Sequence, residues 1–269
     1  MIGSEVICLM LQIKYAYVTH PGLYRKTNQD NLICNGQYFP LSHGKTEKPV
    51  TGNIRFQASA LFGVFDGMGG EEHGEAASWI AAKSAAARKI DSVAQLEQFC
   101  LETNRAICDY AEENCLTSSG TTASLLLFCP REIISCHLGD SRIYRWNQDR
   151  LEQLTKDDIW PGRKHMLLQC LGSPEEEMRI SPHIDHYSLQ SGSLFLLCSD
   201  GLSNMLPDDR IASVLSGSGD LETHAATLLD LALEAGGKDN ITLLLIQPVS
   251  SSGFRHLRRK EFPPAAEHS

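Results

Sequence analysis

The 269-residue sequence has no excess of basic residues. Lys and Arg number 24 against 33 Asp and Glu, which gives a formal net charge of −9. A negative field repels nucleic-acid phosphates, so nucleic acid is not expected as a partner. Any phosphate that the protein binds must therefore be held by a local feature, such as a metal ion or a well-placed arginine.

The sequence also has no Cys-x-x-Cys pair, although it contains nine cysteines. This spacing argues against a zinc site or a dithiol redox site. Cys129, Cys136 and Cys198 lie inside apolar runs, where cysteine behaves as a small hydrophobe. The expected state is a set of reduced thiols in a cytosolic protein.

Long apolar runs are missing as well. The first 18 residues are apolar, but Glu5 and Lys14 interrupt them, and they show no basic start or small-residue cleavage site. We expect a first strand here, no membrane span, and a cytoplasmic monomer. Without internal repeats or linkers, the sequence predicts one domain over 1–249, with a loop insertion at 36–59 and a disordered tail at 250–269.

Strand-like runs alternate with segments of helical periodicity along the chain. Strands are predicted at 12–18, 31–34, 61–65, 121–129, 133–138, 141–146, 151–154, 194–199 and 241–247, and helices at 75–90, 93–115, 207–215 and 221–235. The strands between 121 and 154 are expected to form an antiparallel meander, and 159–189 to be mostly loop. The grouping indicates an α+β fold with sheets inside and helices outside.

Four aspartates stand at the ends of apolar strand segments. Asp66 follows LFGVF, Asp140 follows IISCHLG, Asp200 follows LFLLCS, and Asp239 precedes ITLLLI. A charge at the end of a buried strand is costly unless it is paired or bound to a cation. A single Asp-Gly is best explained as a tight turn, but four comparable positions indicate a site. Oxygen ligands without His or Cys suit Mg²⁺ or Mn²⁺.

Arg25 lies in the segment RKTNQD, between the first two predicted strands. Most arginines are surface charges, and that interpretation remains open here. A guanidinium in such a turn can also hold two phosphate oxygens in a bidentate contact.

Six segments carry a resemblance to a known family. RKTNQD, FDGMGG, SGTTAS, GDSR, CSDGL and GGKDNIT occur in this order across residues 25–242. They resemble the motif series of the metal-dependent (PPM-type, type 2C) protein phosphatases, particularly bacterial members. The resemblance implies a four-layer α-β-β-α sandwich, in which antiparallel helix pairs flank two central, mainly antiparallel sheets. The metals would lie at one end of these sheets.

The resemblance also implies a ligand set for two Mn²⁺ or Mg²⁺ ions. Asp66 would bridge both ions, and the carbonyl of Gly67 would complete one shell. Asp200 and Asp239 would hold the first ion, and Asp30 would serve the second, directly or through water. These assignments rest on the matched motifs.

The implied activity is hydrolysis of phosphoserine and phosphothreonine in proteins by a water that the two ions activate. Arg25 matches the phosphate-binding arginine, and Asp140 matches a residue of a weak third metal site in bacterial relatives. The implied partners are phosphorylated proteins and a cognate Ser/Thr kinase. Because no covalent intermediate is needed, Ser141, Cys198 and Ser199 are expected to be structural.

The sequence departs from the family pattern at several positions. Met68 stands where animal relatives often have His, which leaves the general acid unassigned. Asp158 stands where relatives usually have His, and Asn204 where they often have an acidic residue. The segment 159–166, which corresponds to the flap over the active site, is short.

Two other functions fit parts of the sequence. A catalytically weak member could bind phosphoproteins as a regulator, but such members lose metal-binding aspartates, and Asp66, Asp200 and Asp239 are all present. A hydrolase of small phosphorylated molecules would use the same chemistry. Only the surface around the site would distinguish it from a protein phosphatase.

Overall fold

The computed structural model describes residues 11–56, 58–68, 73–130, 132–176, 178–190 and 192–249. The tail predicted at 250–269 lies outside these ranges, as do residues 1–10. None of the helices within the described ranges combines the length and the apolar character that a membrane crossing requires.

Strands dominate the described chain, and the helices fall in two groups. In chain order the elements are β1 (Leu11–His20), β2 (Asp30–Cys34), β3 (Val50–Phe56), β4 (Ala60–Met68), α1 (Gly74–Ala86), α2 (Val93–Glu113), β5 (Gly120–Thr121), β6 (Ala123–Phe128), β7 (Glu132–Leu138), β8 (Arg142–Asn147), β9 (Arg150–Gln153), β10 (Ile159–Trp160), β11 (Arg163–Leu167), β12 (His183–Ser188), β13 (Leu194–Cys198), α3 (Asp200–Ser203), α4 (Asp208–Leu215), α5 (Leu221–Glu234) and β14 (Ile241–Val249).

Two antiparallel sheets form the centre of the molecule. The first has the strand order β3-β1-β14-β13-β8-β9, and the second has the order β12-β7-β6-β4-β2, with the short β5 paired to the end of β4. A small separate hairpin joins β10 and β11. The chain therefore enters and leaves each sheet more than once, which brings distant segments together at the sheet ends.

Alternating side chains along the central strands fill two different apolar layers. Phe195 and Leu197 of β13 point between the sheets, whereas Leu196 and Cys198 of the same strand face α4 and α5. Successive strand residues point to opposite faces, so a strand covered on both sides needs apolar residues at every position. The run LFLLC satisfies this requirement.

The helices form the two outer layers. α1 and α2 contact each other and cover the second sheet, and the buried alanines Ala77, Ala81 and Ala85 of α1 face that sheet. α4 and α5 cover the first sheet in the same way. The predicted α-β-β-α sandwich is thus confirmed.

The prediction of a loop over 36–59 is wrong for its second half. β3 pairs with β1 at the edge of the first sheet, from Leu11↔Phe56 to Tyr17↔Val50. The strand exposes or half-exposes all of its side chains, so its sequence lacks the apolar run of a central strand. Edge strands are held by backbone pairing on one side and need little apolar content.

Two further predictions need correction. The strands between 121 and 154 do not form one meander, because β6 and β7 belong to the second sheet, whereas β8 and β9 belong to the first. The loop-rich segment 159–189 holds more strand structure than expected, namely the β10–β11 hairpin and the edge strand β12. β12 is half exposed and polar, with the sequence HIDHYS, and it is recognisable only through its pairing with β7.

Candidate metal centre

The strand ends bring the predicted carboxylates together at one end of the sandwich. Asp30 opens β2 and lies directly opposite Asp66 of β4 in the second sheet. Asp200 follows β13 and Asp239 precedes β14, and these two strands are antiparallel neighbours in the first sheet. Asp140 lies where the chain crosses from β7 in one sheet to β8 in the other. Both sheets therefore contribute carboxylates to the same end.

A hydrogen bond links the two halves of this site. The hydroxyl of Ser199, which follows β13, donates to Oδ2 of Asp30 at 2.7 Å. Asp30 is buried, and among the described residues its other oxygen, Oδ1, has no hydrogen-bond partner. A buried carboxylate oxygen without a donor is costly, and a cation can satisfy it.

The motif SGTTAS holds the backbone of Asp66. Thr122 accepts a hydrogen bond from the Asp66 amide through Oγ1 and donates its own amide to the Asp66 carbonyl, both at 2.9 Å. The hydroxyl of Thr121 donates to the same carbonyl at 3.0 Å. These contacts fix the end of β4 and therefore the direction of the carboxylate.

Gly67, the predicted carbonyl ligand, lies where backbone segments pack very closely. A Cβ at this position would come within 2.2 Å of the Gly74 carbonyl oxygen and 2.3 Å of that of Gln29. Only glycine allows β4, the start of α1 and the loop before β2 to approach this closely. Three peptide segments thus converge beside Asp66.

Arg25 and Asn204 contact two of the carboxylates. Arg25 forms an ion pair with Asp239 at 2.7 Å, and its side chain remains half exposed. The amide of Asn204 donates to Oδ2 of Asp200 at 2.9 Å. Arg25 therefore stands at the solvent-facing side of the site, where an incoming phosphate could reach it.

The close packing of carboxylates changes their protonation. Burial, followed by the charge of Asp30, raises the pKa of Asp66 well above its usual range. Burial likewise raises the pKa of Asp30 to about 7 and that of Asp140 to about 7, and the charge of Asp200 adds to both. Like charges held in a buried site favour protonation unless a cation neutralises them.

The donor set fits hard divalent ions. It consists of carboxylate oxygens and crowded carbonyls, the ligands that Mg²⁺ and Mn²⁺ prefer. Arg25 and Asn204 each hold one of the carboxylates in a direct contact. Within the described ranges, no three acidic, imidazole or thiol groups lie close enough together to hold one ion. A bound cation would satisfy the free oxygen of Asp30, and the raised carboxyl pKa values reflect the burial and close packing of these groups.

Comparison with known proteins decides the family. A family model described as Protein phosphatase 2C matches residues 52–235. The chain belongs to the protein phosphatase 2C family. The match spans β3 to α5, and therefore includes Asp66, Asp140 and Asp200.

Curated relatives are named as bacterial phosphatases. The serine/threonine phosphatase stp of Listeria innocua is 31% identical over 211 residues, which cover 68% of this chain and 82% of that protein. The serine/threonine protein phosphatase PstP of Mycobacterium tuberculosis is 29% identical over 262 residues, covering 89% of this chain and 46% of PstP. This phosphatase 2C chain thus spans about half the length of PstP.

Solved structures share the fold. The catalytic domain of PstP in complex with two manganese ions superimposes with a TM-score of 0.72 at 28% identity, covering 89% of this chain and all of that one (100%). An S. agalactiae serine/threonine phosphatase gives a TM-score of 0.72 at 25% identity, and the match covers 88% of this chain and 100% of that chain.

Asp158, a departure from the family pattern, contacts the turn before Asp140. Its carboxylate accepts hydrogen bonds from the Gly139 amide at 3.2 Å and from Gln169 at 2.9 Å, and it lies 2.9 Å from Nε2 of His183. It therefore supports the turn that carries Asp140 and ties this turn to β12. The short segment 159–166 leads away from this residue as the β10–β11 hairpin.

The nearby hydroxyl and thiol groups are not placed as nucleophiles. Ser141 and Thr122 share a buried hydroxyl contact of 2.7 Å, and Ser199 donates to Asp30. Burial raises the pKa of Cys198 to about 12, so its thiol stays protonated. Ser141, Cys198 and Ser199 therefore have the structural surroundings that the sequence predicted.

Sequence reasoning gave no role to Asn240, which holds the loop of Arg25 in place. Its side chain accepts a hydrogen bond from the Gln29 amide at 2.8 Å and donates to the carbonyls of Pro21 and Thr27 at 2.9 Å. The only signal was its place after Asp239 in GGKDNIT. Asn240 couples the strand-end aspartate to the segment RKTNQD.

Asn204→Asp should increase the response of the protein to Mn²⁺. The new carboxylate would replace an amide donor 2.9 Å from Asp200, adding repulsion without metal and a charged ligand with metal. We expect a lower Mn²⁺ concentration for half-maximal activity and a larger Mn²⁺-induced rise in Tm. Titration with Mn²⁺, followed by activity and by Tm, measures both quantities.

The matched control for this change is Asn114→Asp. Asn114 stands at the C-cap of α2 and Asn204 at the C-cap of α3, so both substitutions place a charge at the end of a helix. Superimposable Mn²⁺ curves for wild type and Asn204→Asp would refute a metal-binding role for this position.

Proposed function

We propose that the chain is a metal-dependent protein serine/threonine phosphatase, which hydrolyses phosphomonoesters with a water activated by two Mn²⁺ or Mg²⁺ ions. The observation that carries this proposal is the convergence of five aspartates from both sheets at one end of the sandwich. The names of the bacterial relatives support the same activity.

The proposed ligands divide between the sheets. Asp66 would serve both ions, the Gly67 carbonyl would complete one shell, and Asp200 and Asp239 would hold the first ion. Asp30, which the hydroxyl of Ser199 orients, would serve the second. The PstP catalytic domain, solved with two manganese ions, supports this number of metals.

Asp140 is proposed as a ligand of a weaker third site. The charge of Asp200 contributes to its raised pKa, so the two carboxylates share one electrostatic environment. Asn204 supplies only a neutral side chain at this edge, which limits the attraction for a third dication.

When bound, the ions lower the pKa of a coordinated water and offset charge on the phosphate. The chain's own residues bind and orient the substrate. Arg25 reaches the half-exposed side of the site and donates to phosphate oxygens, leaving its contact with Asp239 in part. Because Ser199 and Ser141 hold structural hydrogen bonds, we propose direct attack by water without a covalent enzyme intermediate.

The proposed substrates are proteins phosphorylated on Ser or Thr, so a Ser/Thr kinase must supply them. We propose further that the protein acts in the cytoplasm as a monomer. Gel filtration with light scattering tests the oligomeric state. Dephosphorylation of a protein that a Ser/Thr kinase has phosphorylated tests whether the kinase and this chain act on the same substrate.

The function is tested by hydrolysis of a phosphothreonine peptide with and without divalent ions. EDTA should abolish activity, and Mn²⁺ or Mg²⁺ should restore it, because the aspartates cannot activate water alone. A parallel assay with nucleotides separates a protein phosphatase from a small-molecule hydrolase. Full activity in EDTA contradicts the mechanism, and a preference for nucleotides contradicts the substrate class.

Arg25→Ala should reduce kcat/KM about 10- to 150-fold, since a charge-assisted contact is worth about 1.5–3 kcal/mol. The loss should appear mainly in KM if the contact is equal in the ground and transition states. Inhibition by inorganic phosphate gives a direct measure, and its Ki should rise in parallel. Tm should change little, because exposed ion pairs contribute about 0–1 kcal/mol.

Arg210→Ala on α4 is the matched control, since Arg210 is exposed and lies in the outer helical layer. Arg25→Lys tests geometry, because lysine keeps the charge without the bidentate fork. An unchanged Ki for phosphate in Arg25→Ala would show that this arginine is only a surface charge.

A further inference from the structure

A cavity of about 820 Å³ opens next to the metal centre, between the C-terminal half of α2 and the segment 170–176. Its inner end is formed by Met68 and Gly120, which face each other in the pairing of β4 with β5. Met68 lies two residues beyond Asp66 on the same strand, which is about 7 Å along the chain. The cavity therefore lies beside the proposed catalytic site.

Part of the cavity wall consists of small and apolar groups. Cys108, Ala111 and Leu116 line the side formed by α2 and its following turn, and Cys170 and Pro174 line the other. Burial raises the pKa of both thiols, so they stay neutral. Such a surface can pack against peptide backbone and the aliphatic part of a side chain.

The outer edge of the cavity is acidic on both sides. Asp109 and Glu112 stand three residues apart on one face of α2, and Glu175 and Glu176 stand on the opposite wall. Among the described residues that line the cavity, the single cation is Arg105, which pairs with Glu175 at 3.2 Å. We call the carboxylates of Asp109, Glu112, Glu175 and Glu176 the acidic rim.

The rim charges act on the interior of the cavity. After burial, the causes of the raised pKa of Cys108 include the charges of Asp109 and Glu176, which come from opposite walls. The two walls thus face a common space and impose one negative field on it. A cation that enters this space meets attraction from both sides.

We propose that this cavity binds the residues next to the phosphorylated Ser or Thr, and that it selects substrates with Arg or Lys there. The inference rests on the proposed phosphatase function. A phosphate held at the proposed metal site would place the flanking peptide near Met68, at the end of the cavity. An arginine or lysine stem can then lie on the apolar wall while its charge reaches the acidic rim.

The experiment uses two series of phosphothreonine peptides that differ only in having Arg or Glu at successive flanking positions. For each variant, kcat/KM is normalised to hydrolysis of an aryl phosphate by the same variant with Mn²⁺. At the best position the Arg peptide should exceed the Glu peptide about tenfold, because several exposed charge pairs each add a small attraction. The ratio should shrink as salt is added.

The double substitution Glu112→Lys with Glu176→Lys should collapse or reverse this ratio. Its matched control is Asp230→Lys with Glu234→Lys, which changes the net charge equally on the exposed face of α5. Binding of labelled, unphosphorylated peptides, followed by fluorescence anisotropy, reports on the cavity without catalysis and should show the same preference.

Equal ratios in the rim and α5 variants would overturn the inference, since the preference would then come from the net charge of the chain. Equal kcat/KM and equal binding of Arg and Glu peptides in the wild type would also overturn it. Absence of Mn²⁺-dependent aryl phosphate hydrolysis would instead contradict the proposed function. In that case, the anisotropy measurement still decides whether the cavity prefers basic peptides.

Discussion

Replacing Asp66 by Asn should lower turnover by several orders of magnitude while the protein still folds. Asp66 lies opposite Asp30 and shares a buried site with the other aspartates, so it is placed to contact both proposed ions. The amide keeps the size of the side chain but removes the charge that a divalent ion requires. Steady-state hydrolysis of a phosphopeptide, with Mn²⁺ varied, measures the loss.

The same substitution should make the metal-free protein more stable. The folded-state pKa of Asp66 is raised, so its protonated form stabilises the fold at low pH, and this stabilisation is lost as pH rises above the unfolded value near 4. Asn stays neutral, so we expect a gain of about 1–3 kcal/mol at pH 7 in EDTA. With saturating Mn²⁺ the order should reverse, because wild type gains more from binding.

Asp230→Asn on the exposed face of α5 is the matched control, and it should change neither turnover nor the response of Tm to Mn²⁺. Near-normal turnover of Asp66→Asn would show that the ligand assignment is wrong. Equal Mn²⁺-induced shifts in Tm for wild type and Asp66→Asn would contradict metal binding by this carboxylate, even if turnover fell for another reason.

The central strands could be predicted from the sequence because burial on both faces requires apolar residues at every position. The runs LFGVF, LFLLC and ITLLLI meet this requirement, and all three lie in central strands. β3 and β12 could not be predicted in this way. They lie at sheet edges, their side chains are largely exposed, and their stability comes from backbone pairing with β1 and β7.

The positions of the site residues were predictable for a similar reason. An aspartate that ends an apolar strand marks a sheet end, and the family resemblance supplied the order of the motifs. The sequence did not show which groups hold these aspartates. Ser199 reaches Asp30 across the two sheets, and Asn240 reaches the loop of Gln29, with more than 160 residues between the partners. Such long-range contacts depend on the sheet order and leave no local pattern.

Several groups of the site hold each other before any ligand is considered. Asn240 fixes the loop that carries Arg25, while Arg25 itself contacts Asp239, the residue before Asn240. Displacement of one segment should therefore disturb both the proposed metal ligands and the proposed phosphate contact. Because of this coupling, we expect activity to be sensitive to substitutions at the close contact between α3 and the residues before β14.

Gly201→Ala should reduce kcat/KM about a hundredfold and raise the Mn²⁺ concentration needed for activity. A Cβ at residue 201 would lie 1.9 Å from the Asn240 carbonyl oxygen, whereas such contacts are normally at least 3.0 Å. One backbone must therefore move by about 1 Å, and a misplacement of this size costs about a hundredfold in rate. Since Gly201 follows Asp200 and Asn240 follows Asp239, the shift separates two proposed ligands. Overpacking should also cost about 1–3 kcal/mol of stability.

The control is Gly44→Ala, an exposed position where a Cβ meets nothing within 4 Å. Activity and Mn²⁺ titrations below the Tm of each variant separate misplacement from unfolding. If Gly201→Ala kept normal activity and a normal Mn²⁺ midpoint, the spacing of Asp200 and Asp239 would not matter, and their joint role as ligands would be excluded.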